Sequence, residues 1–241
     1  MCIRDRIINY EVGEHMAKKR SLSQKINVLR ASVMGANDGI VSVAGIVIGV
    51  AGATSNNFAI FISGISGMLA GTVSMAMGEW VSVNTQKDSQ RHAISLQKAA
   101  LSSAYDNEFN TVKHKLMGDG ISADLAAQAT SEMMAKDPVK TTVRQKYGFN
   151  VGEYTNPLSA AIASMISFPM GSILPLLAIT LFPKTIRIPA TFIAVVIALA
   201  ITGYTAAQLG NANKGRGMIR NIISGILTML VTYTIGTLIG S

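Results

Sequence analysis

The sequence predicts an all-α membrane protein with five transmembrane helices and a small cytoplasmic helical domain between the second and third. Three observations carry this reading. Hydrophobic residues make up 49% of the 241-residue chain and charged residues only 14%, against about 25% charged in an ordinary soluble domain. Five apolar runs are long enough to cross a bilayer, which takes about 20 helical residues at 1.5 Å rise each. The acidic residues keep almost entirely out of those runs. This hydrophobicity excludes intrinsic disorder. Cys2 is the single cysteine, which excludes a disulfide framework and a thiolate metal cluster.

The elements follow in order along the chain. Residues 1–30 form an N-terminal leader. Its first 15 residues show no helix period, and Met16, just ahead of a basic run, is a candidate initiator. Residues 31–83 hold the first two spans, placed at 31–53 and 58–83. The first is too long for a secretory signal and lacks a cleavage site. Residues 84–156 form the helical domain. Residues 157–241 hold the last three spans, placed at 158–182, 188–209 and 218–239, and Asn156-Pro157 marks the start of the first of these.

Basic residues set the orientation. Lys18, Lys19, Arg20, Lys25 and Arg30 precede the first span, the connection 54–57 is uncharged, and nine basic residues lie between 84 and 156. Lys184 and Arg187 flank the next connection, and Lys214, Arg216 and Arg220 the one after it. This bias puts the N-terminus in the cytoplasm and the C-terminus outside. The formal charge of +8 is then a topology signal, and no nucleic-acid partner is expected.

In the central domain, Ile94, Leu101, Tyr105, Phe109, Val112 and Leu116 recur at helical spacing as one apolar stripe. Gly118-Asp119-Gly120 breaks that helix. A second helix follows Ser122 as N-cap, with Leu125, Ala129 and Met133 on one side. Asp137-Pro138 starts a third, which ends at Gly148.

Within the spans the only acids are Asp38 and Glu79, and an intramembrane carboxylate is costly enough to mark a functional site. In the first span Gly35, Asp38, Ser42, Gly45, Gly49 and Gly52 share one small, weakly polar face, and small residues let membrane helices approach closely. In the second, Met68, Thr72, Met75 and Glu79 share a face. A soft thioether beside a hard carboxylate suits a borderline divalent ion such as Fe²⁺ over Mg²⁺ or Ca²⁺, and the oxygen ligands keep Mn²⁺ open. Met75 and Glu79, one turn apart, are therefore candidate metal ligands, and Asp38 is a candidate functional carboxylate. No span contains His or Cys, so a Ser–His dyad is impossible there, and with one acid a Glu a two-aspartate protease is unsupported. No enzyme is expected. His92 and His114 read as surface residues. Pro169 and Pro175 should kink the third span, and Asn221, Ser224, Thr228 and Thr232 give the fifth a face for helix–helix hydrogen bonds.

Gly35-Ala36-Asn37-Asp38-Gly39-Ile40-Val41-Ser42 resembles the first-span signature of the vacuolar iron transporter family. Ser74-Met75-Ala76-Met77-Gly78-Glu79-Trp80-Val81-Ser82-Val83 resembles the second-span signature, with Trp80 where Tyr or Phe is usual. Met134-Ala135-Lys136-Asp137 and Asn156-Pro157 also resemble stretches of the family. The likeness runs from about residue 25 to the end. It implies a five-span homodimer in the bilayer, a bacterial-type member of the cell membrane, exporting Fe²⁺ and often Mn²⁺ from the cytoplasm in exchange for protons. The metal is substrate, and no permanently bound cofactor is implied. By matching motif positions, Asp38 and Met75 would line the path and Glu79 its cytoplasmic mouth. The path would run at the dimer interface, and Gly35, Gly45 and Gly49 would form a dimer or packing face, the likeness suggesting a partner helix from a twofold-related protomer.

The sequence departs from the family in the cytoplasmic helices, where metal-loading members carry several glutamates. Residues 87–98 contain none, and Lys146 stands where the third helix would offer an acid. Glu132, Met133 and Met134 form the one carboxylate–thioether cluster, a candidate for weak metal binding only, since Met133 also belongs to the apolar stripe. Two alternatives stand beside a proton-coupled exporter: a non-transporting scaffold or regulator, and a passive cation channel of the same fold.

Overall fold

A computed structural model describes residues 22–240, with side chains from Lys25 onward; the leader before Leu22, with Cys2 and Met16, lies outside them. The described residues form eight helices: α1 (Leu22–Ala53), α2 (Asn57–Ser103), α3 (Tyr105–Gly118), α4 (Ala123–Lys136), α5 (Pro138–Tyr147), α6 (Pro157–Leu181), α7 (Arg187–Leu209) and α8 (Lys214–Gly240). Five of these, α1, α2, α6, α7 and α8, are long and apolar enough to cross a membrane. The chain is an all-α multi-pass membrane protein.

Two helices overrun the expected spans. α1 begins more than two turns before residue 31, so the end of the basic leader is helical. α2 does not stop near 83 but runs for 47 residues, to Ser103. By compactness the described residues fall into two units, Lys25–Val81 with Asn156–Ser241, and Ser82–Thr155.

In the first unit α1 is the central helix. Val43, Val47 and Ile48 are fully buried or nearly so, among Leu176 and Ile179 of α6, Val195 and Leu199 of α7, and Met229 of α8. Lipid is as apolar as leucine, so close backbone contact rather than burial from water must hold such helices together. The glycines provide it. A Cβ on Gly39 would run into the Phe168 carbonyl of α6, and one on Gly171 into the Ala36 carbonyl of α1. A Cβ on Gly45 would lie 3.0 Å from Thr228 Cγ2, and one on Gly49 3.1 Å from the Thr232 carbonyl, both on α8. α6 and α8 of the same chain lie against Gly35, Gly45 and Gly49, which form a packing face. Spacing marks a close-packing face but cannot say whose helix lies on it. The Thr228–Thr232 face of α8 meets α1, as its weak polarity suggested.

α6 starts at its Asn156 cap, whose Oδ1 accepts from Leu158 N at 2.9 Å, and runs through Pro169 and Pro175 to Leu181. Ser172 Oγ binds the α6 carbonyl of Phe168 at 2.8 Å and the α1 carbonyl of Gly39 at 3.2 Å. At the far end of α1, the buried Arg187 donates to Asn57 Oδ1 at 2.8 Å and to the Thr54 carbonyl at 3.3 Å, tying the α1–α2 connection to α7.

In the second unit, the break after Gly118, the Ser122 cap position and the Asp137-Pro138 start fall where the sequence puts them. Asp137 accepts from Lys140 N at 2.9 Å, and Gly148 ends α5 at φ 73°. Two details differ. The apolar stripe is not one helix, because the chain breaks at Ala104, between Leu101 on α2 and Tyr105 on α3. α4 buries Ala126, Thr130 and Met134, one position beyond the expected stripe, and leaves Leu125 exposed. The buried row is the smaller one. Its Thr130 hydroxyl is satisfied by the Ala126 carbonyl at 2.7 Å, so a polar residue can sit in the core at little cost.

Candidate functional site

Asp38 lies on an exposed strip of α1, and its Oδ1 accepts a hydrogen bond from Ser42 Oγ at 3.0 Å. An ionised side chain open to the outside of a membrane span is unfavourable against hydrocarbon, so water or protein must cover it in the bilayer. The preceding residue is tied down: Asn37 Oδ1 accepts from Asn221 Nδ2 of α8 at 2.8 Å and from Thr202 Oγ1 of α7 at 3.4 Å. That polar knot fixes the rotation of α1 at Asp38.

Glu79 is buried on α2, with its side chain 9% exposed, and its Oε2 lies 2.9 Å from Nη2 of Arg30 on α1. Arg30 also donates to Asn27 Oδ1 at 3.1 Å and contacts Met34 Sδ at 3.2 Å. Arg30, Met34, Asp38 and Ser42 follow each other at four-residue steps, so they line one face of α1, with Arg30 and Asp38 about 12 Å apart along the axis. Met75 is partly buried one turn before Glu79, on the same face of α2. The unit thus has an acid at each of two stations along α1, with the thioether of Met34 between them. Among the described residues, no three His, Cys, Asp or Glu side chains converge on one point.

Sequence reasoning missed Arg30 as a partner of Glu79, having counted it only as an orientation charge. It missed Met34 too, although four-residue spacing from Asp38 could have found it. The Arg30–Glu79 pairing spans 49 residues, and no local pattern announces that.

The second unit holds a different polar cluster. Glu108 is buried on α3; Lys146 Nζ of α5 lies 3.0 and 2.9 Å from its two oxygens, and Gln97 Nε2 of α2 also donates to it. The Gln97 Oε1 is buried without a hydrogen-bond partner. A lysine ammonium supplies the cation there. Glu132, Met133 and Met134 point apart: Glu132 is exposed and bonded to Gln128, Met134 is 2% exposed in the core, and Met133 lies between. His92 and His114 are both exposed.

The model of the VIT family matches residues 29–237. A vacuolar iron transporter homolog 2 of Oryza sativa subsp. japonica is 35% identical over 86% of this chain and 88% of its own length. A vacuolar iron transporter homolog 3 of Arabidopsis thaliana is 30% identical over 97% of this chain and 94% of its own. A vacuolar iron transporter of Acanthamoeba castellanii is 30% identical over 87% and 78%. The all-α chain, with its five membrane-length helices, belongs to the VIT family.

Proposed function

We propose that this protein transports a divalent transition-metal ion, Fe²⁺ and/or Mn²⁺, out of the cytoplasm in exchange for protons. The observation that carries the proposal is the pair of carboxylates inside otherwise apolar spans, Asp38 on an exposed strip of α1 and Glu79 buried on α2. The relatives' names supply the iron. Asp38 and Glu79 act as oxygen ligands and Met75 as a thioether ligand. A carboxylate must lose its proton to bind metal, so metal and proton compete for the same oxygens; that competition supports exchange over passive flow.

The working unit is a homodimer. Two acids and a thioether from one chain are few ligands, and the Asp38 strip is open; a second copy laid on that strip would double the ligand set and remove the carboxylate from lipid. The interface uses the strip that carries Asp38 rather than the glycine face, which is already filled. Orientation rests on the basic flanks, with the N-terminus and the Ser82–Thr155 unit in the cytoplasm and the C-terminus outside. That unit has weak metal affinity, because its buried acid is held by Lys146.

Metal flux into sealed proteoliposomes across a panel of divalent ions, with and without a pH gradient, tests the proposal. Fe²⁺ or Mn²⁺ movement that responds to the gradient supports it. Gradient-independent flux would indicate a channel, and no flux of any ion a scaffold or regulator.

A further inference from the structure

Arg30 already occupies a cation position on Glu79. Its Nη2 lies 2.9 Å from Oε2, at the distance of a strong charge-assisted bond. We propose that Arg30 is a latch on Glu79: a divalent ion reaches that carboxylate only by exchanging with the guanidinium. The latch rests on the transport reading above and adds a residue that sets the affinity of the Glu79 station.

Three features favour a movable latch over a fixed brace. The two halves of the pair differ in exposure, 45% for the Arg30 side chain and 9% for that of Glu79, so the arginine is the half that can leave. It has somewhere to go: Arg30, Val33 and Met34 line a cleft of about 530 Å³ with Ala206 and Leu209 of α7, and Glu79 is not among the cleft's lining residues. The remaining guanidinium contacts, Asn27 Oδ1 and Met34 Sδ, are carried by α1 itself, so the side chain can swing without moving a helix.

Charge makes the exchange obligatory. Arg30 and Glu79 together are neutral, and a divalent ion added beside them would leave two uncompensated charges at a largely buried site, which is strongly unfavourable. With the guanidinium turned into the cleft, the carboxylate faces the ion alone. Loading then replaces one cation by another.

A brace and a latch predict opposite signs. If Arg30 only positions Glu79, removing it weakens metal binding; if it competes, removing it strengthens binding. The test is Mn²⁺ binding to the full chain in nanodiscs, read from the paramagnetic resonance of free Mn²⁺. Arg30→Gln should bind at least about tenfold more tightly, because a unit charge a few ångströms away weighs that much even with strong screening. Arg30→Lys keeps the charge but loses the planar fork, so its affinity should lie between wild type and Arg30→Gln. Glu79→Gln should weaken binding whichever residue stands at 30. If Arg30→Gln does not fold, Arg30→Lys decides, since affinity equal to or below wild type overturns the latch. Wild-type or weaker affinity in folded Arg30→Gln, with Glu79→Gln still impaired, overturns the latch and leaves the transport reading in place. Unchanged binding in Glu79→Gln overturns both the latch and the Glu79 assignment.

Discussion

Lys146 Nζ sits 3.0 and 2.9 Å from the two carboxylate oxygens of Glu108, bridging α5 to α3 in the Ser82–Thr155 unit. Breaking one side of a buried pair leaves a charge without compensation. Lys146→Met should lower stability by roughly 1–3 kcal/mol, less than for a fully buried pair because the lysine side chain is 29% exposed. Glu108→Gln combined with Lys146→Met should recover most of that loss. Thermal unfolding of the full chain, followed by circular dichroism, checks both.

The glycines of α1 lead to a prediction about folding rather than assembly. Gly39→Val places a side chain into the Phe168 carbonyl of α6, and close helix approach is what holds membrane helices together. The variant should fail to give a monodisperse protein in detergent. Gly78→Ala, on α2 with nothing within 4 Å of the added Cβ, should stay within about 1 kcal/mol of wild type. Size-exclusion profiles of the two variants separate the cases.

The thioether gives an ion-selective prediction. Met75→Leu removes a soft ligand and keeps the volume, so it should reduce Fe²⁺ transport more than Mn²⁺ transport, Mn²⁺ being the harder ion. Initial rates for the two ions in the same liposome preparation provide the ratio. An equal reduction for both would assign Met75 to packing.

The second unit should contribute little to transport. Glu132 is exposed and bonded to Gln128, while Met134 is committed to the core. Glu132→Gln should therefore change metal flux less than about twofold, since a lone exposed carboxylate is a weak site for a divalent ion.

Much of the architecture is legible in the sequence because its causes are local. The five spans follow from apolar length, and the ends at Asn156-Pro157, Asp137-Pro138 and Gly148 from capping chemistry that sits beside the residue it serves. Asp38 and Glu79 stand out because a carboxylate in a span is rare. What the sequence conceals is pairing at a distance. Arg30 looks like one more orientation charge until α2 brings Glu79 to it, and Lys146 looks like a surface lysine until α3 presents Glu108. The glycine face of α1 shows that something packs closely there, yet an α6 or α8 of the same chain and a helix of a second chain would leave the same pattern. On α4 the error was one of size: Leu125 was favoured over Ala126, but helices packed this closely bury the small residue and turn the large one out.

The central claim is that metal crosses the membrane by way of Asp38. Asp38→Asn keeps the shape and still offers Ser42 an amide oxygen, so the fold should be intact while the charge is gone. The decisive measurement is the initial rate of Fe²⁺ movement into sealed proteoliposomes under an imposed pH gradient, for wild type and Asp38→Asn at matched incorporation. The account predicts a gradient-dependent rate for wild type and a rate no higher than protein-free liposomes for Asp38→Asn; a wild-type rate in Asp38→Asn would contradict it.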